Sequence, residues 1–129
     1  MPDQELRMSD ERPRQDLRAR TKRFSLRIIK MCGALPDSCE GRILGDQVFR
    51  SGTSAGANYR EAYRARSRAE FISKLGDSQK ELEETIYWME LLADSGTVKP
   101  GKLSFRLQEA DELMALFSSI IKSSRRDCS

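Results

Sequence analysis

The amino-acid sequence predicts an all-α protein, an antiparallel up-and-down four-helix bundle. Apolar residues recur at steps of three and four along four segments of the chain, which is the spacing of one face of an amphipathic helix. No segment shows the alternation of apolar and polar residues that marks a half-buried strand. The connections between the segments are short, so successive helices are expected to pack side by side in opposite directions.

The length of 129 residues suits one domain with one core. Residues 1–14 are polar, alternate in charge and contain Pro2 and Pro13, so we expect a disordered or loosely helical N-terminal extension. Residues 15–124 are predicted to form the bundle, and residues 125–129 are predicted to be a frayed tail.

The first helix is predicted to begin near Arg14 and to end before Pro36, because a residue that precedes proline is displaced from helical geometry. Its apolar seam consists of Leu17, Thr21, Phe24, Ile28, Met31 and Leu35. The residues between the seam positions are strongly basic, and they form a first candidate site for phosphate groups. These candidates are Arg18, Lys22, Arg23, Arg27 and Lys30.

The second helix is predicted from Ile43 to about Ala65, after a connection at residues 36–41. At about 100° per residue, its apolar face comprises Leu44, Val48, Ser51, Ala55, Tyr59 and Ala62. Gly45, Gly52 and Gly56 lie on one flank, and each costs a helix roughly 1 kcal/mol relative to alanine. We therefore favour a closely packed core helix over a phosphate-cradling loop, since no lysine follows the glycines as a P-loop requires.

The third helix is predicted from about Arg68 to Ala93. Ser67 and Glu70 have the spacing of a capping box, in which each side chain satisfies a free amide of the first turn. The main apolar face consists of Phe71, Leu75, Ser78, Leu82, Ile86 and Met89. The opposite face consists of Glu70, Asp77, Glu81, Glu84 and Trp88. This stripe is either a solvated face or an interface, since tryptophan is a favoured interface anchor.

The fourth helix is predicted from about Leu103 to Ser123, after a turn rich in glycine and proline at residues 94–102. Its seam consists of Leu103, Leu107, Ala110, Met114, Phe117 and Ile121. These positions complete the four apolar faces that a single bundle core requires.

The composition argues against several classes of function. There is no histidine, which excludes Ser-His and Cys-His nucleophile pairs and the common zinc and haem sites. The three cysteines form no CxxC pair, so no metal site or disulfide framework is indicated, and a reduced, cytoplasmic protein is expected. No apolar run approaches the roughly 20 residues that cross a membrane. We predict a protein without cofactor or enzymatic activity.

The residues QVFRSGTSAGANYREAYRARSRAEFISKL, followed by KELEETIYWMELL, resemble the bacterial four-helix bundle proteins called 23S rRNA-intervening-sequence proteins. The family pattern matches here at Gln47, Ser51, Asn58 and Glu61, among other positions. The resemblance implies a bundle that associates as a ring, typically a pentamer, with no established activity. A related branch serves diversity-generating retroelements, where it binds RNA and a reverse transcriptase.

Two main hypotheses for function follow. In the first, a homo-oligomer binds nucleic acid, with RNA favoured, through the first-helix cations and a second cluster at Arg60, Arg64, Arg66 and Arg68. In the second, the protein is a structural or adaptor module without nucleic-acid binding, and its charges serve ring assembly or a protein partner. The assembly contact would then join two groups on neighbouring subunits, a basic one (Arg50, Arg60 and Arg64) and the third-helix stripe (Glu70, Asp77, Glu81, Glu84 and Trp88).

Overall fold

The computed structural model describes the backbone of residues 2–127 and the side chains of residues 17–126. It contains four helices, α1 (Pro2–Gly33), α2 (Cys39–Tyr63), α3 (Arg68–Asp94) and α4 (Pro100–Asp127). The described backbone contains no strand, and the all-α prediction is confirmed. None of the helices, within the residues described, is long and apolar enough to cross a membrane.

Each helix packs against the next one in the chain, and α4 closes the bundle by packing on α1. The contacts between α1 and α2 show their relative direction. The Ser25 hydroxyl donates to the carbonyl of Gly52, whereas the Cys32 thiol donates to the carbonyl of Gly45. The later residue of α1 therefore contacts the earlier residue of α2, so the two helices run antiparallel.

The four predicted apolar faces meet in one core. The seam positions are buried except Leu35, Leu44, Ile86, Leu107 and Met114, which are half-buried at its margin. The Tyr59 and Phe117 rings stack across the bundle at a centroid distance of 5.6 Å. The helical periodicity of the sequence thus identified which side of each helix faces the interior.

The second helix packs closely against α1 through its glycine flank. A Cβ placed on Gly52 would lie 2.8 Å from Cγ2 of Ile28, and one placed on Gly45 would lie 2.8 Å from Cδ1 of Leu35. Both contacts are far inside van der Waals distance, and at Gly52 the fully buried Ile28 leaves no room for a side chain, whereas at Gly45 the end of the half-buried Leu35 side chain would have to move. The interpretation as a core helix is confirmed, and the helix runs without interruption through the glycines where a phosphate loop would need an irregular backbone.

The start of α2 and the capping contact of Glu70 differ from the predictions. α2 begins at Cys39 rather than Ile43, because Ser38 caps it by accepting a hydrogen bond from the Gly41 amide at 3.0 Å. Ser67 caps α3 as predicted and accepts from the Glu70 amide at 3.1 Å. The Glu70 carboxylate accepts from the amide of Arg66 at 3.3 Å, one residue before the amide that a capping box uses.

The predictions for the two ends of the chain stay predictions. The side chains of residues 1–16, which include the proposed extension, lie outside the described residues, as do Cys128 and Ser129 of the proposed tail. The helix boundaries nonetheless extend beyond those predicted, since α1 begins at Pro2, and α4 runs from Pro100 to Asp127 rather than from Leu103 to Ser123.

Candidate nucleic-acid interface

The turn between α2 and α3 places the second arginine cluster at one end of the bundle. Arg60 lies in the last turn of α2, Arg64 caps that helix, and Arg66 lies in the turn that follows. All three side chains are exposed, and none forms an ion pair with a carboxylate among residues 17–126. Arg68 is exposed at the first position of α3. Chain topology therefore concentrates these cations instead of spreading them along a helix.

The carboxylates near this turn have other partners. Glu61 forms an ion pair with Lys74 of α3 at 2.8 Å, and this hydrogen bond holds the pKa of Lys74 above its ordinary value. Glu70 is occupied in capping the turn at the Arg66 amide. The side chains of Arg64 and Arg66 consequently remain available to an external anion.

The last turns of α4 add two basic residues that were not among the predicted site residues, Lys122 of the predicted fourth helix and Arg125 of the predicted frayed tail. A cavity of about 280 Å³ is lined by Arg66 and Ser67 of the turn, by Arg68 at the start of α3 and by Ser124 of α4. This contact brings the neighbouring Lys122 and Arg125 to the same end of the bundle, where both are exposed. The available signal was the basic run KSSRR at residues 122–126.

The first helix contributes one member of its predicted cluster to this end. The Arg18 guanidinium lies over the Tyr63 ring, 4.5 Å from its centroid, a distance at which a cation is attracted to the face of an aromatic ring. We call the group at this end of the bundle the basic end. Its members are Arg18, Arg60, Arg64, Arg66, Arg68, Lys122 and Arg125.

The rest of the predicted first-helix cluster does not gather at the basic end. Arg27 forms an ion pair with Glu109 of α4, and its guanidinium lies 5.0 Å from the centroid of the Phe105 ring. Lys22 and Arg23 are exposed along the helix. Lys30 lies at the far end of the bundle, where it lines a separate cavity. The predicted basic face is therefore divided into parts with different surroundings.

Some of the predicted subunit-interface residues are paired or half-buried within their own chain, and others remain exposed. Arg50 forms ion pairs with Glu84 at 2.8 Å and with Glu81 at 3.4 Å within its own chain. These three charges are satisfied without a second subunit. Trp88 is half-buried and packs against the core, and its place in a subunit interface stays a prediction. Of the acidic stripe, Asp77 and the capping residue Glu70 remain exposed.

The family-pattern residues of α2 have structural surroundings. Ser51 is fully buried, donates to the Gln47 carbonyl at 2.9 Å and accepts from the Thr85 hydroxyl at 2.7 Å. This pair joins α2 to α3 inside the core. Asn58 is half-buried, whereas Glu61 is exposed in its pair with Lys74 rather than buried between helices.

The structure describes the surroundings of Cys32 and of the side chains that could act as metal ligands. Burial, with a smaller contribution from the charge of Asp46, raises the pKa of the Cys32 thiol from 9.0 to about 11. Cys32 is thus a protonated residue at the margin of the core. Within the part of the chain whose side chains are described, no group of three or more His, Cys, Asp and Glu residues is placed to hold a metal ion.

Comparison with known proteins places these features in context. The family model described as "23S rRNA-intervening sequence protein" matches residues 15–119. A solved structure from Bacteroides thetaiotaomicron, described as a protein with unknown function from the S23 ribosomal protein family, is 35% identical. It aligns with a TM-score of 0.80 over 85% of this chain and 98% of its own. No curated protein matches the chain.

Proposed function

The chain belongs to the family of 23S rRNA-intervening sequence proteins, and from that premise we propose that it is a non-enzymatic, cytoplasmic homo-oligomer that binds RNA through its basic end. The observation that carries the proposal is the convergence of cations from all four helices and the α2–α3 turn. Arg60, Arg64 and Arg66 there have no carboxylate partner among the described side chains. Cations of this kind neutralise phosphates and release the counterions bound to nucleic acid.

Two features support RNA as the nucleic acid. The structural relative is described as a member of a ribosomal protein family, which is consistent with an RNA partner. The Arg18 guanidinium is held over Tyr63, and guanidinium planes and aromatic rings are surfaces on which unpaired RNA bases stack. Recognition would depend mainly on charge and shape, since the members of the basic end are all arginines and lysines.

Charge removal at the basic end tests the proposal. The double variant Arg64→Gln and Arg66→Gln removes two exposed cations that have no ion pair among the described residues. Fluorescence anisotropy with a short single-stranded RNA should show a Kd at least about tenfold higher than that of the unchanged protein. The slope of log K against log salt should become shallower by about 0.7 for each phosphate that the variant no longer neutralises.

The matched control removes the same number of charges elsewhere. Arg42 and Lys80 are exposed and lie outside the basic end. The double variant Arg42→Gln and Lys80→Gln should bind RNA like the unchanged protein. Equal binding by both double variants, or no salt-dependent binding by the unchanged protein, would refute the proposal.

A structural or adaptor function is the second candidate, and exposed apolar side chains support it. Ile43 is 58% exposed and Tyr87 is 54% exposed, values that are high for side chains of this size. Tyr87 also packs edge-on against Trp88 at a centroid distance of 5.2 Å, a rigid arrangement that suits a protein contact. Under this alternative the protein assembles but shows no RNA binding at any salt concentration.

A further inference from the structure

The end of the bundle opposite the basic end contains a second feature that nucleic-acid binding does not explain. Residues 34–36 and 96–99 of the two connections border an open cavity of about 590 Å³ between the end of α1 and the start of α4. Its volume lies within the range of about 300–1,000 Å³ that is usual for small-molecule sites. We call it the loop-end cavity.

The charged residues that line the loop-end cavity are all cations. They are Lys30, Lys99, Lys102 and Arg106, and none of the acidic residues whose side chains are described lines the cavity with them. None of the four forms an ion pair with a carboxylate among residues 17–126. Nε of Arg106 is buried without a hydrogen-bond partner, although another guanidinium nitrogen donates to the Lys102 carbonyl at 3.1 Å. Several like charges around one space favour an anion there.

The start of α4 adds to this positive field. Lys99 precedes the first residue, Pro100, and has no side-chain acceptor with which to cap the helix. The first turn carries no acidic residue, in contrast to α2 and α3, which begin with a serine cap and a glutamate. No acidic side chain of the first turn therefore offsets the partial positive charge of the helix start, and this charge adds to that of the lysines.

The floor of the cavity is aliphatic. Met31, Leu35, Val98 and Leu103 line it, and Met31 and Leu103 are buried members of the core. Within residues 17–126 no aromatic side chain lines the cavity, so this lining offers no ring on which a planar group could stack. The lining therefore favours a ligand with an aliphatic body and an anionic head.

We propose that the loop-end cavity binds a small amphiphilic organic phosphate, whose aliphatic body contacts the floor and whose phosphate contacts the cations. Phosphate fits better than a singly charged head, because four cations and an uncapped helix start surround one space. The site is independent of the RNA proposal, since its residues lie at the other end of the bundle.

Isothermal titration with three probes tests both parts of the ligand. The probes are octyl phosphate below its micelle concentration, inorganic phosphate, and octanol. Octyl phosphate should bind at least about tenfold more tightly than either of the others, since each of these lacks one set of contacts. Equal binding of inorganic phosphate or of octanol would overturn the proposal. Binding only to vesicles that contain phosphatidic acid would also overturn it, because the ligand would then be a membrane surface.

Two substitutions assign the binding to this cavity. Lys102→Met keeps the aliphatic stem and the helix propensity but removes one exposed charge, and it should raise the Kd for octyl phosphate about tenfold. Val98→Thr places a hydroxyl on the floor of the cavity, where Val98 is half-buried. The substitution should raise the Kd for octyl phosphate several-fold and leave the Kd for inorganic phosphate unchanged. The control Lys80→Met removes an exposed lysine from α3 and should bind like the unchanged protein.

Thermal unfolding provides a separate measurement for the same variants. A ligand that binds only the folded state raises Tm with concentration, so octyl phosphate should raise the Tm of the unchanged protein and of Lys80→Met. The shift should be much smaller for Lys102→Met, whose Tm without ligand should equal or exceed that of the unchanged protein because like-charge repulsion is reduced. An undiminished ligand shift in Lys102→Met would overturn the assignment to this cavity.

Discussion

Gly52 shows how one missing side chain determines the spacing of two helices. An added Cβ would lie 2.8 Å from Cγ2 and 3.0 Å from Cγ1 of Ile28, whose side chain is fully buried and cannot move aside. We expect Gly52→Ala to lower the free energy of unfolding by about 1–2 kcal/mol. Overpacking costs about 1–3 kcal/mol, and the gain of roughly 1 kcal/mol in helix propensity offsets only part of it. Urea unfolding followed by circular dichroism at a fixed protein concentration measures the change.

Gly76 provides the matched control, because it also lies within a helix but has no atom within 4 Å of an added Cβ. Gly76→Ala should therefore raise the free energy of unfolding by up to about 1 kcal/mol. The two substitutions make the same chemical change and should have opposite signs. A stabilising Gly52→Ala would mean that α1 and α2 are less closely packed than the structure indicates.

The environment of Cys32 predicts a pH-dependent reactivity. Its pKa of about 11, raised from 9.0 by burial and by Asp46, lowers the thiolate fraction at pH 8 about a hundredfold. The folded state favours the protonated thiol, so the contribution to stability is present below pH 9.0 and is lost as the pH rises through about 11. A variant with Cys39→Ser and Cys128→Ser, which leaves only Cys32, should react with a disulfide reagent at a rate that rises about tenfold per pH unit.

The comparison thiol is Cys39, which is exposed at the first position of α2. A variant with Cys32→Ser and Cys128→Ser keeps only this thiol, and it should react far faster at pH 8 under native conditions. Similar rates for the two variants would show that Cys32 is accessible and that the end of α1 opens readily.

At the scale of helices, two ion pairs in the described part of the chain join α1 to α4. Glu109 is buried and forms an ion pair with Arg27, whereas Glu112 forms a pair with Arg20 at 3.1 Å. The Glu109 side chain is 10% exposed and that of Glu112 is 51% exposed, so desolvation differs sharply between two pairs on the same helices. This difference makes the effects of their substitution predictable.

Glu109→Gln should lower the free energy of unfolding by about 1–3 kcal/mol. The loss is below the 3–5 kcal/mol typical of a fully buried pair because the Arg27 side chain is 38% exposed and water can solvate it in part. Glu112→Gln should cost less than about 1 kcal/mol, as exposed pairs do. Denaturant unfolding of both variants under the same conditions measures the two changes in the free energy of unfolding. Equal losses of this free energy would argue against a special role for Glu109.

Local patterns and spatial contacts were not equally predictable from the sequence. The buried faces could be predicted because their three- and four-residue spacing is a property of the helix itself, as Phe24, Val48, Leu82 and Phe117 illustrate. The start of α2 was placed four residues late because its cap, Ser38, precedes any apolar periodicity.

The candidate sites were predicted less completely for a physical reason. The partner of Arg50 is on α3 and that of Arg27 is on α4, and no periodicity within one helix specifies such a pairing. The approach of Ser124 to the α2–α3 turn likewise depends on how the last helix packs. The loop-end cavity is formed by two connections and two helix ends that are distant in sequence.

At the scale of the whole molecule, assembly into a ring can be tested by exchanging charges. Arg60 and Asp77 are exposed, and neither forms an ion pair within the described part of the chain. If they belong to the two sides of a head-to-tail contact, Arg60→Glu and Asp77→Arg should each dissociate the oligomer, because a heterologous contact repeats in every subunit of a ring. The combined variant should assemble again, since the pair is restored with its charges exchanged.

Light scattering after size exclusion measures this outcome in low and high salt. The unchanged protein should elute as a ring, with a pentamer expected, and Arg50→Gln should leave the mass unaltered because Arg50 is paired within its own chain. Dissociation by both single variants without recovery in the combined variant would place Arg60 and Asp77 in different contacts. If the Arg60→Glu variant stays assembled but no longer binds RNA, Arg60 acts in the basic end alone. The subunit contact would then be sought at exposed apolar side chains such as Ile43 and Tyr87.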